Sequence, residues 1–299
     1  MNAWPALPLA EWADTYATLH RWTQVVGKIR LAQAPPVNHW WHVTLYVTAR
    51  GLTTSPMPHG DRTFQIDFDF LDHGLVVSAS DGEVRILPLA PMTVADFYAE
   101  VMEILDRMDL PVRIWPRPVE IPDPIARFPD DREHRSYDRD AAERVWRILV
   151  QADRALTAFR GDFLGKASPS HFFWGAFDLA ATRFSGRTAP PHPGGFPNVG
   201  ISVMREAYSH ELWSAGFWPG GAGEEALFYA YSYPEPDGFS AGAAAPAAAF
   251  YHTGLREFVL PYEAVRQAAD PDRDLRAFLQ STYDAAADLG GWDRAALER

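Results

Sequence analysis

The sequence predicts an α+β fold in two related halves, with mainly antiparallel strands and helices packed on them. Three observations carry this. In "RTFQIDFDF" the residues Phe64, Ile66, Phe68 and Phe70 alternate with Gln65, Asp67 and Asp69, the period of a strand with one solvated face. "LVVSASDGEVRILPL" sets Asp81-Gly82 between two apolar runs, a dipeptide favoured in tight hairpins. The third is a repetition. "NHWWHVTLYVTARGLTT", Asn38 to Thr54, and "SHFFWGAFDLAATRFSG", Ser170 to Gly186, both run from His through paired aromatics and an apolar stretch to an Arg (Arg50, Arg183) before a turn.

The elements follow in order. From Leu9 to about Ala32, the residues Trp12, Tyr16, Leu19, Val26 and Ile29 recur at helical spacing, and "APPV" ends the pattern because proline cannot continue a helix. "HWWHVTLYV" is aromatic and β-branched and reads as a strand. After the alternating strand and the hairpin, "VADFYAEVMEILDRM" reads as a helix and "VRIW" as a last short strand. Residues 116–140, dense in proline and charge, read as a connector between a first unit of residues 1–115 and a second, longer unit of residues 141–299.

In the second unit, Asp140 with Glu143 suggests an N-cap pair. Val145, Leu149, Ala152, Leu156, Phe159 and Phe163 mark the amphipathic helix that follows. The His-aromatic strand comes next, then "FVLPYEAV" in echo of "RILPLAPMTV", and "DLRAFLQSTYDAAADL" as a closing helix. The insertion in the second copy falls mainly between Pro190 and Ala249. A single barrel running through both halves is the alternative architecture.

Charge and composition exclude several functions. With 27 basic and 39 acidic residues the formal charge is −12, which repels a phosphate backbone, so no nucleic-acid partner is expected. The absence of cysteine removes disulfides, thiolate metal sites and cysteine nucleophiles. The N-terminal stretch lacks a basic leader and no run of 18 apolar residues occurs, so the expectation is a cytoplasmic protein with no membrane partner. No cofactor is expected.

Known motifs fail on inspection. "GFSAG" fits a nucleophile elbow in letters, but its flanks suit a loop and no acid lies between it and His252, the one later His. "GAGEEA" resembles a dinucleotide fingerprint, yet a strand-like "LFYAYSY" follows where a helix should receive the phosphate, so it reads as a turn between strands. "SHELW" opens like a zinc-protease motif with Ser214 where the second His belongs. No metal site is expected, and Asp67 and Asp69 read as the wet face of their strand.

The stretches "PPVNHWWHVTLYVTARGLTT", "SPSHFFWGAFDLAATRFSGR", "APPHPGGFPN", "REAYSHELWSAGFWPG" and "ADLGGWDR" resemble an uncharacterised bacterial family, a domain of unknown function, over essentially the whole chain. The resemblance implies a shared fold and a cytoplasmic bacterial origin, and it brings no activity.

What remains is a set of polar groups among aromatics. His171, His210 and Glu211 are the expected acid-base residues of a shared cleft. His39, Trp41, Arg50, Trp174, Arg183, His192 and Trp218 are its expected ligand-binding residues, with His42 and Asp178 nearby. The implied function is binding of a small organic ligand in an aromatic cleft, with a non-catalytic protein-interaction module as the alternative.

Overall fold

The computed structural model describes residues 3–122, 125–221 and 223–299. The fold is α+β, with two antiparallel sheets and helices against them. Helix α1 (Ala13–Gln33) opens the chain, and Ala34 ends it with an extended backbone ahead of Pro35 and Pro36.

The first sheet holds β1 (Tyr46–Val47), β2 (Gly51–Thr53), β3 (Met57–His59), β4 (Arg62–Asp69), β5 (Gly74–Ala79) and β6 (Val84–Pro88), in the order β1-β2-β4-β5-β6. β2 and β3 are two pieces along one edge of β4, separated at Ser55, whose φ is 58°. Along β4 the alternation read from the sequence is kept: Phe64, Ile66 and Phe68 are buried while Gln65, Asp67 and Asp69 stay partly exposed. The β5–β6 hairpin turns at Gly82, whose φ of 93° suits glycine.

Helix α2 (Val94–Arg107) follows, capped by Thr93, which accepts from the Asp96 backbone N–H. Trp22 of α1 stacks on Phe97 of α2 at 4.6 Å, and Phe97 lies against Phe68 of β4. That stack ties the two helices to the first sheet.

The connector wraps α1. Val119 exchanges two hydrogen bonds with the Gln24 side chain at 2.8 and 2.9 Å, Arg21 pairs with Asp131 at 3.2 Å, and Phe128 is fully buried. Asp123 and Pro124 of this segment lie outside the described residues.

Helix α3 (Arg139–Arg160) leads into the second sheet: β7 (His171–Phe173), β8 (Asp178–Thr188), β9 (His210–Trp218), β10 (Leu227–Tyr233), β11 (Phe250–His252) and β12 (Glu257–Pro261), in the order β7-β8-β9-β10-β12-β11. The short α4 (Ile201–Ala207) interrupts between β8 and β9. α5 (Tyr262–Gln267), α6 (Pro271–Leu289) and α7 (Arg294–Leu297) close the chain. α3 and α6 cover one face of this sheet, where Phe159, Trp213 and Tyr283 meet. The two sheets join edge to edge: Leu45, just before β1, exchanges both backbone hydrogen bonds with Phe172 of β7, at 2.9 and 2.8 Å.

Three expectations need correction. "HWWHV" is not a strand but a 3-10 turn over Asn38–Val43, with φ near +61° at His39 and Trp40. A strand would send successive side chains to opposite faces; the turn instead brings His39, Trp40 and Trp41 to one cavity. "VRIW" is irregular, because Pro111, Pro116 and Pro118 remove the donors a strand edge needs. The cap of α3 is Asp138, which accepts from the Ala141 N–H at 2.9 Å, rather than Asp140, which lies within the first turn.

Candidate functional site

The second sheet buries one face under α3 and α6; its other face floors a cavity of about 1,090 Å³. Alternation along the strands decides which residues reach it. Asp178, Ala180, Thr182 and Phe184 come from β8, Ser214 and Trp218 from β9, Tyr229, Tyr231 and Tyr233 from β10, and Glu257 from β12. The opposite wall comes from earlier in the chain: Lys28 of α1, the His39–Trp41 turn, and Trp115 and Glu120 of the connector. Residues from both sides of the connector thus line one space. Trp115 and Phe196 remain 56% and 43% exposed, which places them at its rim.

Four carboxyl groups line the cavity, and among the described residues three of them, Asp178, Glu120 and Glu257, form no ion pair. Asp178 is buried and pushed up to about 6 by desolvation, partly offset by the hydrogen bond that Tyr229 donates to it. Burial and the nearby charge of Asp178 push Glu120 and Glu257 up to about 7. Glu235, also in the lining, differs: Tyr251 donates to it at 2.8 Å and Arg256 lies 3.8 Å away.

The contact between Tyr229 and Asp178 depends on Gly216. Gly216 lies between Ala180 of β8 and Tyr229 of β10 in the sheet register. A Cβ there would collide with the Leu179 carbonyl and the Tyr229 phenol. Without one, the phenol lies across β9 and reaches the carboxylate on β8. Beside it Tyr208 and Tyr231 share a hydroxyl–hydroxyl bond of 2.9 Å, and burial pushes Tyr208 up to about 12. These phenols are neutral donors at physiological pH.

His39 is held neutral, its pKa lowered mainly by burial. Its Nδ1–H donates to the Ala207 carbonyl at 3.0 Å, leaving Nε2 to accept from Lys166 Nζ at 2.8 Å. His192 packs against Tyr208 at 4.5 Å and Tyr233 at 5.1 Å, and burial lowers its pKa also. Trp174 is fixed by donating Nε1–H to the Val43 carbonyl at 2.7 Å. Two donors in the lining, Trp40 Nε1 and Asn198 Nδ2, have no hydrogen-bond partner among the described residues.

Of the residues singled out from the sequence, His39, Trp41, Trp174, His192 and Trp218 line this cavity, as does Asp178. His171, His210 and Glu211 do not share it. His171 is 1% exposed beneath Trp41 and Tyr46, and burial lowers its pKa to about 3. His210 sits behind His39, bonded to Ser209 Oγ at 3.0 Å. Glu211 points the other way along β9 and pairs with Arg187 at 2.7 Å.

Arg50 and Arg183 also lie elsewhere. Arg50 is an exposed partner of Asp69 and Asp72, each at 2.6 Å. Arg183 is buried on the far face of the sheet, its guanidinium 3.7 Å from the Phe159 ring centroid and 4.5 Å from that of Tyr283. Sequence reading passed over Glu120, Glu257, Lys28 and the tyrosines of β10. The alternating aromatics of "LFYAYSY" and the glycine in "SAGFW" were the available signals for the last of these.

The other motifs lie as the sequence suggested. "GFSAG" forms a 3-10 turn over Phe239–Ala241, and the described residues of "GAGEEA", all but Ala222, lie in the connection from β9 to β10. Among the described residues there is no cluster of three or more potential metal ligands, and no helix is long and apolar enough to cross a membrane.

No curated protein and no solved structure matches the chain. A family model described as "Family of unknown function (DUF5996)" matches residues 4–299, and the chain therefore belongs to that family.

Proposed function

We propose that the protein binds a small organic cation with a flat apolar body. The observation that carries this is the set of carboxyls Asp178, Glu120 and Glu257, without cationic partners, in a cavity walled by Trp41, Trp174, Trp218 and the tyrosines of β10. These carboxyls are raised in pKa mainly by burial, and Glu120 and Glu257 further by the charge of Asp178. A cation placed among them relieves that repulsion, and indole and phenol faces attract the same charge. The proton-transfer groups available to such a ligand are these carboxyls, which titrate near neutrality.

The test is a charge series on one ring: trimethylanilinium, benzyl alcohol and benzoate, titrated calorimetrically at pH 7.5. The cation is expected to bind at least about ten-fold more tightly than the neutral compound, a difference of about 1.4 kcal/mol. Benzoate is expected not to bind, and Asp178→Asn and Glu257→Gln should each weaken the cation. Equal affinity across the series, or preference for benzoate, would overturn the reading.

We also infer that the two halves descend from one duplicated unit. Both run from a long helix through an antiparallel sheet that starts at a short edge strand to a further long helix, and the two edges meet at the reciprocal Leu45–Phe172 pair. The support lies in element order and not in the His-aromatic stretches, which form a turn in one half and a strand in the other.

A further inference from the structure

Of the 27 basic residues in this chain, 25 are arginine and only two, Lys28 and Lys166, are lysine. Among the described residues the ion pairs are made by arginines and, once, by His134; neither lysine joins one. Both lysines instead stand at the aromatic belt of the cavity. Lys166 bonds His39 and lies 5.4 Å from the Trp41 ring centroid. Lys28 is 4% exposed and lines the cavity directly, 5.0 Å from the ring of Trp115 and 5.6 Å from that of Trp174.

The local structure holds Lys28 there. It follows Gly27 in α1, and a Cβ at Gly27 would occupy the indole of Trp174. Glycine in mid-helix is unfavourable by itself; here it lets the indole lie on the helix backbone beside the next residue's amine. Lys28 has neither a carboxylate partner nor a hydrogen bond among the described residues. Arginine in the same place would keep its charge under all conditions, whereas a desolvated lysine can present a free amine.

We propose that Lys28 captures an aldehyde or ketone covalently, as an imine, inside this cavity. The inference rests on the cavity and on Lys28, not on the recognition of a cation. In the step, the Nζ lone pair adds to the carbonyl carbon while the π pair moves to oxygen, and a proton passes from nitrogen to oxygen to give a carbinolamine. A proton added to the hydroxyl and the loss of the remaining N–H proton release water and leave C=N. One amine and one carbonyl give one imine and one water, with no net oxidation or reduction. Burial lowers the Lys28 amine from 10.5 to about 8, so it is neutral roughly three hundred times more often at pH 7 than an ordinary lysine side chain. The carboxyls of the same cavity, titrating at about 6 to 7, suit the proton transfers on either side of the carbinolamine.

The experiment is reductive trapping of the whole protein with benzaldehyde and sodium cyanoborohydride at pH 7, followed by peptide mapping. Benzaldehyde carries no charge, so capture is read separately from cation binding. The benzyl label is expected on Lys28, at least about ten-fold faster than on free Nα-acetyl-lysine. It should be lost in Lys28→Arg and retained in Lys166→Arg. Label confined to Lys166 and the N-terminal amine, or Lys28 reacting no faster than the free amino acid, would overturn the proposal. Should Lys28→Arg fail to fold, the pH profile of the wild type decides. A labelling rate at Lys28 that levels off above about pH 8 supports the proposal, and one that climbs steadily towards pH 10 refutes it.

Discussion

The phenol of Tyr229 donates to the carboxylate of Asp178 across the bare backbone of Gly216, so that a residue of β10 touches one of β8 with a strand between them. The bond supports a buried acid at the floor of the cavity, and it makes the cost of holding that acid measurable.

Asp178 has a folded-state pKa raised from 3.8 to about 6, so between those values the folded protein binds more protons than the unfolded chain. Its contribution to stability therefore falls as pH rises through that window, and by pH 8 the charged form costs roughly 3 kcal/mol. Asp178→Asn keeps an acceptor for Tyr229 and removes the charge. The variant should melt higher than wild type at pH 8, with the gain shrinking towards pH 4. Thermal melts across that range check the sign.

Tyr229→Phe removes the donor and leaves the buried carboxylate without it, at an expected cost of about 1–3 kcal/mol at pH 8. Because only the charged form needs the donor strongly, the loss should be smaller at pH 4. Denaturant titration at the two pH values tests this.

Gly216→Ala places a methyl against the Leu179 carbonyl and the Tyr229 phenol. Overpacking of this kind costs about 1–3 kcal/mol. Pairing it with Tyr229→Phe in a double-mutant cycle should give a coupling clearly different from zero, since the two residues share one contact.

His171 is expected to behave as packing. His171→Ala should cost about 2–4 kcal/mol, by analogy with large-to-small core changes, because Trp41, Tyr46 and Phe173 enclose the ring. Its pKa falls from 6.5 to about 3 on folding, so the unfolded chain binds the extra proton and the stability contributed by the neutral ring is lost as pH drops below about 6.5. His171→Leu should therefore gain relative to wild type as pH falls from 7 to 5, which melts would register.

The paired arginines should part company. Arg50→Ala, at an exposed ion pair, is expected to change stability by less than about 1 kcal/mol. Arg183→Ala empties a cage of Phe159, Phe163 and Tyr283 and removes one of the donors to the Phe159 carbonyl, for a loss of about 3 kcal/mol or more. Chemical denaturation of both variants makes the comparison.

Local patterns determined much of this protein. The helix pattern from Leu9, the alternation of β4, the hairpin at Gly82 and the closing helix are each set by neighbours within a few residues, and they are found where the residues place them. The same reasoning singled out Trp41, Trp174, Trp218, His39 and His192, which line one cavity, because large rings beside His are conspicuous in any sequence. It failed where a side chain's meaning depends on what lies opposite. Arg50 and Arg183 hold matching places in the chain, yet one faces solvent and the other four rings, because α3 and α6 bring Phe159 and Tyr283 over Arg183 and nothing comparable covers Arg50. Glu120 reads as one charge in a polar connector until the connector wraps α1 and turns it into the cavity. Glu257 and Asp178 lie 79 residues apart and influence each other only because β12, β10, β9 and β8 lie side by side. Burial and pKa belong to that arrangement: they depend on the distance to water and to other charges, which the order of residues along a chain does not contain.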